Sequence, residues 1–227
     1  MKTVGIIFAM REELNELLKI LELQKEYKIF DLTFYECTFK DINCILVESG
    51  IGKVNASRTT QILIDNMNVD YIFNIGVAGS VSNDVKICDI VIGNRLVQHD
   101  FDLTPFNHEK GHIPNVGKYV QCDEYLLRIA KSIKISNCHT GVIASGDIFV
   151  QEMEMGKKIN KKFDALCVEM EGAAIAQVCY LSRIPFLVIR SISDSPNKDN
   201  NEITFEEFLN KSSKKVAKYM KRILEIL

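Results

Sequence analysis

Residues 4–10 form an apolar run, the pattern of a central strand covered on both faces. Leu14, Leu17, Leu18 and Leu21 then recur at i, i+3, i+4, i+7, the spacing of one helix face. Residues 33–39 and 43–48 read as a hairpin around Lys40-Asp41. The apolar run 47–51 enters Gly50 and Gly52, and 53–67 follows as a helix. Further strands are predicted at 71–75, ending in Gly76-Val77-Ala78-Gly79, and at 87–92, with 96–102 continuing after a kink at Gly93-Asn94. Polar residues, glycines and Pro114 make 106–117 a loop. Helices are predicted at 123–131 and 152–162, with a strand at 138–145 between them. Residues 165–194 read strand, acidic turn, small-residue helix, strand. A polar loop (195–202) leads to a last helix over 205–227, with Val216, Met220, Ile223, Leu224 and Leu227 on one face.

Alternating strands and helices predict an α/β protein, and the hairpin adds antiparallel character to the sheet. No linker, repeat or low-complexity tract divides the chain, so 1–227 is expected to be one domain. Ligands of such sheets bind outside the carboxyl ends of the strands. The candidate site therefore gathers residues 10–13, 50–52, 76–79, the segment after 92, 146–150, 169–171 and 190–194.

Composition narrows the class. The 227 residues are 47% hydrophobic and 26% charged, which suits one sizeable core. A net charge of −2 gives no footprint for nucleic acid or an acidic membrane. The 7 cysteines are odd in number and lack a C-x-x-C pair, so they read as small buried hydrophobes of a reducing compartment. The first apolar run is too short for a signal peptide and meets acidic residues at once, so a cytoplasmic protein is expected.

Candidate chemistry concentrates at few places. On the first helix, Glu12 falls on the solvent side, while Glu13 falls at the margin of the leucine face and can turn toward the strand end. Acids in a first helical turn also complement the helix dipole, and spacing alone favours that reading. Ser49-Gly-Ile-Gly-Lys53 does not match a phosphate-binding loop and reads as a tight strand-to-helix turn, as does Gly76-Val-Ala-Gly79. His99-Asp100-Phe101-Asp102 lacks a second ligand cluster, so structural hydrogen bonding is expected there. Glu169, Glu171, Arg190 and Asp194 are the sharpest group. In an extended chain Glu169 and Glu171 share a face, and clustered carboxylates divide into acid and base roles. A structural Arg–Glu pair with an Asp194 helix cap explains the same residues equally well.

AMREEL near the start, SGIGKVNAS, NIGVAGS, HDFDLTPF, SGDIFV, VEMEGAAIAQVC and PFLVIRSISD, in order over nearly the whole chain, resemble the 5′-methylthioadenosine/S-adenosylhomocysteine nucleosidases. The resemblance implies the nucleoside phosphorylase fold, a three-layer αβα sandwich around a mixed, mostly parallel sheet. It implies a homodimer with no metal and no organic cofactor, hydrolysing an N-glycosidic bond to adenine and a 5-thio-substituted ribose. By motif, Glu13 would activate water with Arg190 nearby, and protonated Asp194 would donate to adenine N7. Met170 and Glu171 would hold the ribose, Phe149 would stack on adenine, and the Val150 backbone would read its edge. Met10, Ile51, Leu103, Phe106 and Phe205 would surround the 5′-alkylthio group, with Gly79 and Ser193 also at the substrate. Phe106 and Pro114 would arrive from a partner subunit. Val77 stands where many relatives carry Ser or Thr. The rival readings are a purine nucleoside phosphorylase, a nucleosidase for another 5′-substituted nucleoside, and a catalytically dead nucleoside-binding module.

Overall fold

The structure, a computed structural model, describes residues 1–194 and 201–227, the side chains of 201–207 excepted. Strand β1 (Lys2–Phe8) is the first apolar run, and everything from Val4 onward in it is buried. It lies between β4 (Ile42–Glu48) and β5 (Tyr71–Ser80), parallel to both, which is why its pattern does not alternate. Helix α1 (Arg11–Leu18) buries Leu14 and Leu17 as the spacing predicts. The hairpin is β3 (Leu32–Phe39) with β4, turning through Lys40 at φ 52°.

Strand β2 (Glu22–Ile29) has no counterpart in the sequence reading. It pairs antiparallel with β3 at the edge of the sheet and is largely exposed, so its ELQKEYKI carries no apolar alternation. Its charges are those of a protected edge. The predicted turn at Gly76–Gly79 is also corrected, because β5 runs straight through it to Ser80.

Helix α2 (Lys53–Met67) follows β4. Strand β6 (Ile90–Gln98) shifts register between Gly93 and Arg95 against β8 (Cys138–Ser145), so the predicted kink is a bulge inside one strand. The two-residue β7 (Val120–Gln121) pairs with β6. Helix α3 (Glu124–Ser132) is capped by Asp123, which accepts from the Leu126 N–H at 2.9 Å. Helix α4 (Met153–Phe163) leads to β9 (Ala165–Glu169), α5 (Gly172–Ser182) and β10 (Phe186–Asp194), in which every residue is buried. Helix α6 (Asn201–Ile226) starts before the predicted 205, and residues 195–200, most of the predicted polar loop, lie outside the described residues. Its Val216, Met220, Ile223 and Leu224 are at most 1% exposed, each worth about 1.5–3 kcal/mol of burial.

The sheet is mixed. Strand β5 pairs with β1, β9 and β10, β10 continues to β6, and β6 runs through β8 back to β9. Five strands therefore close a ring from which β1, β4, β3 and β2 extend as an open sheet. Helix α1 packs on α6 and α2 on α5, so helices flank the sheet. The carboxyl ends of β1, β5, β9 and β10 converge on one side of the ring.

Candidate active site

That convergence forms a cleft of about 610 Å³, counting its open mouth. Glu13 stands in its floor. It is the third residue of α1 and 2% exposed. One carboxylate oxygen accepts from the N–H groups of Ala9 (3.1 Å) and Met10 (3.0 Å), and the other from Val77 N–H (2.8 Å). Glu13 thus closes the amino end of its helix and also faces the cleft, so dipole complement and site residue are one side chain. Glu12 is exposed, as the helix register predicts. Burial raises the Glu13 pKa, against the opposing pull of Arg190 and the three N–H groups.

Asp194 ends β10 across the cleft and is 7% exposed. Ser193 Oγ donates to its Oδ1 at 2.7 Å. Burial pushes its pKa up, and the single hydroxyl only partly offsets that. The neighbouring backbone is Gly79, where a Cβ would stand 2.9 Å from Asp194 Oδ2. Gly76 has the corresponding place in the floor, where a Cβ would collide with both Glu13 and the Arg190 guanidinium. Close approach of side chains to strand β5, and no turn, is what these two glycines serve.

Arg190 is fully buried. Its Nη2 donates to Glu169 Oε2 and to Asn74 Oδ1, and stands 3.6 Å from Glu171 Oε2. Glu169 also accepts from Ser145 Oγ and from the N–H groups of Glu171 (3.1 Å) and Gly172 (2.7 Å). Both oxygens of Glu169 therefore accept from donors, Oε1 from Ser145 and Oε2 from three others, and the carboxylate pins both the arginine and the start of α5. Glu171, by contrast, accepts one backbone bond, from Gly52 N–H at 2.9 Å. Burial first, and the charge of Glu169 second, push its pKa up to about 7.

Met10, Ile51, Gly79, Phe149, Val150, Met170 and Ser193 line the same cleft, with Val77 and Ile148. Leu103, Phe106 and Pro114 do not line it in this chain; Phe106 is 74% exposed. The Phe205 side chain lies outside the described residues. Sequence reasoning missed Asn74 and Ser145. A lone Asn inside the apolar run 71–75 was the available signal, since a buried amide needs partners; it receives Arg190 and donates to Ile7 C=O at 3.0 Å. Lys53 binds Asp100 (2.8 Å) and Gln98 (3.1 Å) rather than facing a phosphate site, and its N–H caps onto Asp147 (2.8 Å). Asp100 also accepts from Asp147 N–H, so it fastens the loop after β8 to the start of α2.

The arrangement sets two buried carboxyl groups, Glu13 and Asp194, both with raised pKa, in one cleft whose lining also includes Glu171. Among the described lining residues Arg190 is the single cation, set against Glu13, Glu169, Glu171 and Asp194. Comparisons with known proteins identify the family. The phosphorylase superfamily model matches residues 3–225. The 5′-methylthioadenosine/S-adenosylhomocysteine nucleosidase of Geobacillus sp. (strain WCH70) is 38% identical over 229 residues, covering 99% of this chain and 98% of the relative. The S-adenosylhomocysteine nucleosidase of Streptococcus pyogenes, solved with 5-methylthiotubericidin, superposes with TM-score 0.95 at 37% identity, over 100% of this chain and 97% of that one. A futalosine hydrolase of Helicobacter pylori superposes with TM-score 0.94 at 35% identity, over 100% and 98% of the two chains. The chain belongs to the phosphorylase superfamily and, within it, to the 5′-methylthioadenosine/S-adenosylhomocysteine nucleosidases.

Proposed function

We propose that the protein hydrolyses the N-glycosidic bond of 5′-methylthioadenosine and S-adenosylhomocysteine, releasing adenine and the 5-thio-substituted ribose. The observation that carries this is the presence of buried Glu13 and Asp194 in one cleft whose only lining cation among the described residues is already bound to Glu169.

Bond breaking leaves positive charge on the ribose and negative charge on the departing base. Asp194, whose burial raises its pKa and so favours the protonated form, donates a proton to adenine N7. Glu171 and Met170 hold the sugar, and the Glu171 carboxylate stabilises the developing cation. Glu13, ionised, takes a proton from the attacking water; its three backbone N–H donors fix its orientation. Phe149 stacks on the base, the Val150 backbone reads its edge, and Ser193 orients Asp194. Arg190 keeps the Glu13 side of the cleft from accumulating uncompensated charge. Val77 contributes its backbone N–H, which a Ser or Thr would supply equally well.

Phosphorolysis is disfavoured by the same charges, because phosphate would meet four carboxyl groups and no free cation among the described lining residues. Adenine release from methylthioadenosine, measured with and without phosphate, tests the reading: phosphate-independent release is expected, and strict phosphate dependence would overturn it.

A homodimer in the cytoplasm completes the proposal. Ile51, Ile148 and Phe149 at the cleft are each about half exposed, and Val54 beside them is 78% exposed, apolar surface suited to a second subunit. Leu103, Phe106 and Pro114 then act across the interface. No helix among the described residues is long and apolar enough to cross a membrane.

A further inference from the structure

A second cleft adjoins the first. Arg11, Asp31, Thr33, Glu48 and Ser49 line it, and it encloses about 560 Å³ with its mouth. The two share a wall: Met10 and Ile51 line the active site, and their chain neighbours Arg11 and Gly50 line the second cleft. Unlike the apolar alkylthio region, this one is polar and carries both signs of charge.

The charges are not all spent on one another. Asp31 is paired with Arg58. Ser49 Oγ is bound to the carbonyls of Phe8 (3.1 Å) and Gly50 (2.8 Å). Arg11 donates to Tyr35 Oη at 2.6 Å and lies over that ring, 4.9 Å from its centroid, with no acidic partner among the described residues. Glu48 makes no side-chain hydrogen bond or ion pair among them. One unpaired cation, held in place by an aromatic ring, and one unpaired anion therefore face a single cleft. Complementary to that pair is a zwitterion whose carboxylate and ammonium are carried by one carbon atom.

We propose that this cleft is the subsite for the amino-acid end of a 5′-homocysteinyl substituent, with Arg11 taking the α-carboxylate and Glu48 the α-ammonium. The assignment rests on the nucleosidase reading above. The two-methylene arm beyond the sulfur is the link from one cleft to the next, across a wall one residue wide, about 3.8 Å between successive Cα atoms. The methylthio substrate ends before the wall. Arg11 presents a planar donor fork already oriented by Tyr35, so little side-chain freedom is lost on binding. Arg11 and Glu48 are thus specificity-determining residues for the longer substrate.

The test is the ratio of kcat/KM for S-adenosylhomocysteine to kcat/KM for methylthioadenosine, in the wild type and in Arg11→Ala, Arg11→Lys and Glu48→Gln. Both substrates use the same catalytic carboxyl groups, so any disturbance of α1 scales both rates and cancels in the ratio. Arg11→Ala and Glu48→Gln should each lower the ratio about tenfold, the worth of one charge-assisted hydrogen bond, through KM for the longer substrate. Arg11→Lys should recover part of the loss. An unchanged ratio in both variants overturns the proposal. A fall with Arg11→Ala alone overturns the zwitterion assignment, since it marks a site for a bare carboxylate. Failure of the wild type to cleave methylthioadenosine would instead strike the nucleosidase reading itself.

Discussion

The Arg190 guanidinium is held by Glu169 and not by Glu13, although both Glu13 and Arg190 crowd against Gly76. This separates a structural ion pair from the proposed catalytic carboxylate. Glu169, whose role the sequence left open between chemistry and structure, is saturated by Arg190, Ser145 and two backbone N–H groups. Removing the arginine leaves that carboxylate buried and uncompensated. Arg190→Met should therefore destabilise the fold by about 3–5 kcal/mol, read by denaturant unfolding. A loss below about 1 kcal/mol would show that the pair is not what holds the start of α5.

Asp194→Asn should lower kcat by about 10²–10⁴-fold while a methylthioadenosine analogue still binds, because the amide keeps the shape and cannot give up a proton to N7. Turnover and calorimetric binding on the same preparation check this. Since burial raises its pKa, the wild-type rate should fall as pH rises through the Asp194 value and its proton is lost.

Glu13→Gln should cost a similar factor and Glu12→Gln almost none, because Glu13 lies in the cleft floor while Glu12 is exposed. The acid limb has the opposite sign: the wild-type rate should fall as pH drops through the raised Glu13 value and the base becomes protonated. Steady-state rates across pH test both statements, and a silent Glu13→Gln would remove it from the mechanism.

Glu171 makes a stability prediction. Its folded pKa is raised from 4.5 to about 7, so the favourable protonated form is fully present below the unfolded value and is lost as pH climbs through about 7. A neutral Glu171→Gln does not suffer that loss. At pH 8 the variant should be more stable than the wild type by about 1–3 kcal/mol, and at pH 4 the two should match. Thermal unfolding at the two pH values measures the difference; equal gaps at both would show that the raised pKa is not the cause.

Gly76→Ala should destabilise by about 1–3 kcal/mol and cut turnover, since the added methyl displaces both Glu13 and Arg190. Unfolding curves with kcat on the soluble fraction read both effects. An unperturbed variant would mean that the floor can open.

Legibility followed burial and periodicity. Strands β1, β8 and β10 and helices α1 and α2 stood out because their apolar patterns are simple, and the wheel position of Glu13 came with α1. Strand β2 was invisible because an exposed edge strand buries too little to leave a pattern. The glycines of 76–79 suggested a turn because sequence does not distinguish a residue that bends the chain from one that admits a neighbour's side chain. Most of the cleft's lining was named by motif resemblance. Asn74 and Ser145 were not, since their partners lie far away in the chain and only the fold brings them together.

The closed ring of β5, β10, β6, β8 and β9 also fixes when activity can arise during synthesis. Glu13 leaves the ribosome early, yet Arg190 and Asp194, which must meet it, belong to the last strand of the ring. Both closures of β5, with β9 and with β10, wait for residues 165–194. Until then β5 lacks both of these partners and Glu13 lacks the Arg190 and Asp194 that share its cleft, so the growing chain carries a strand edge open to mispairing.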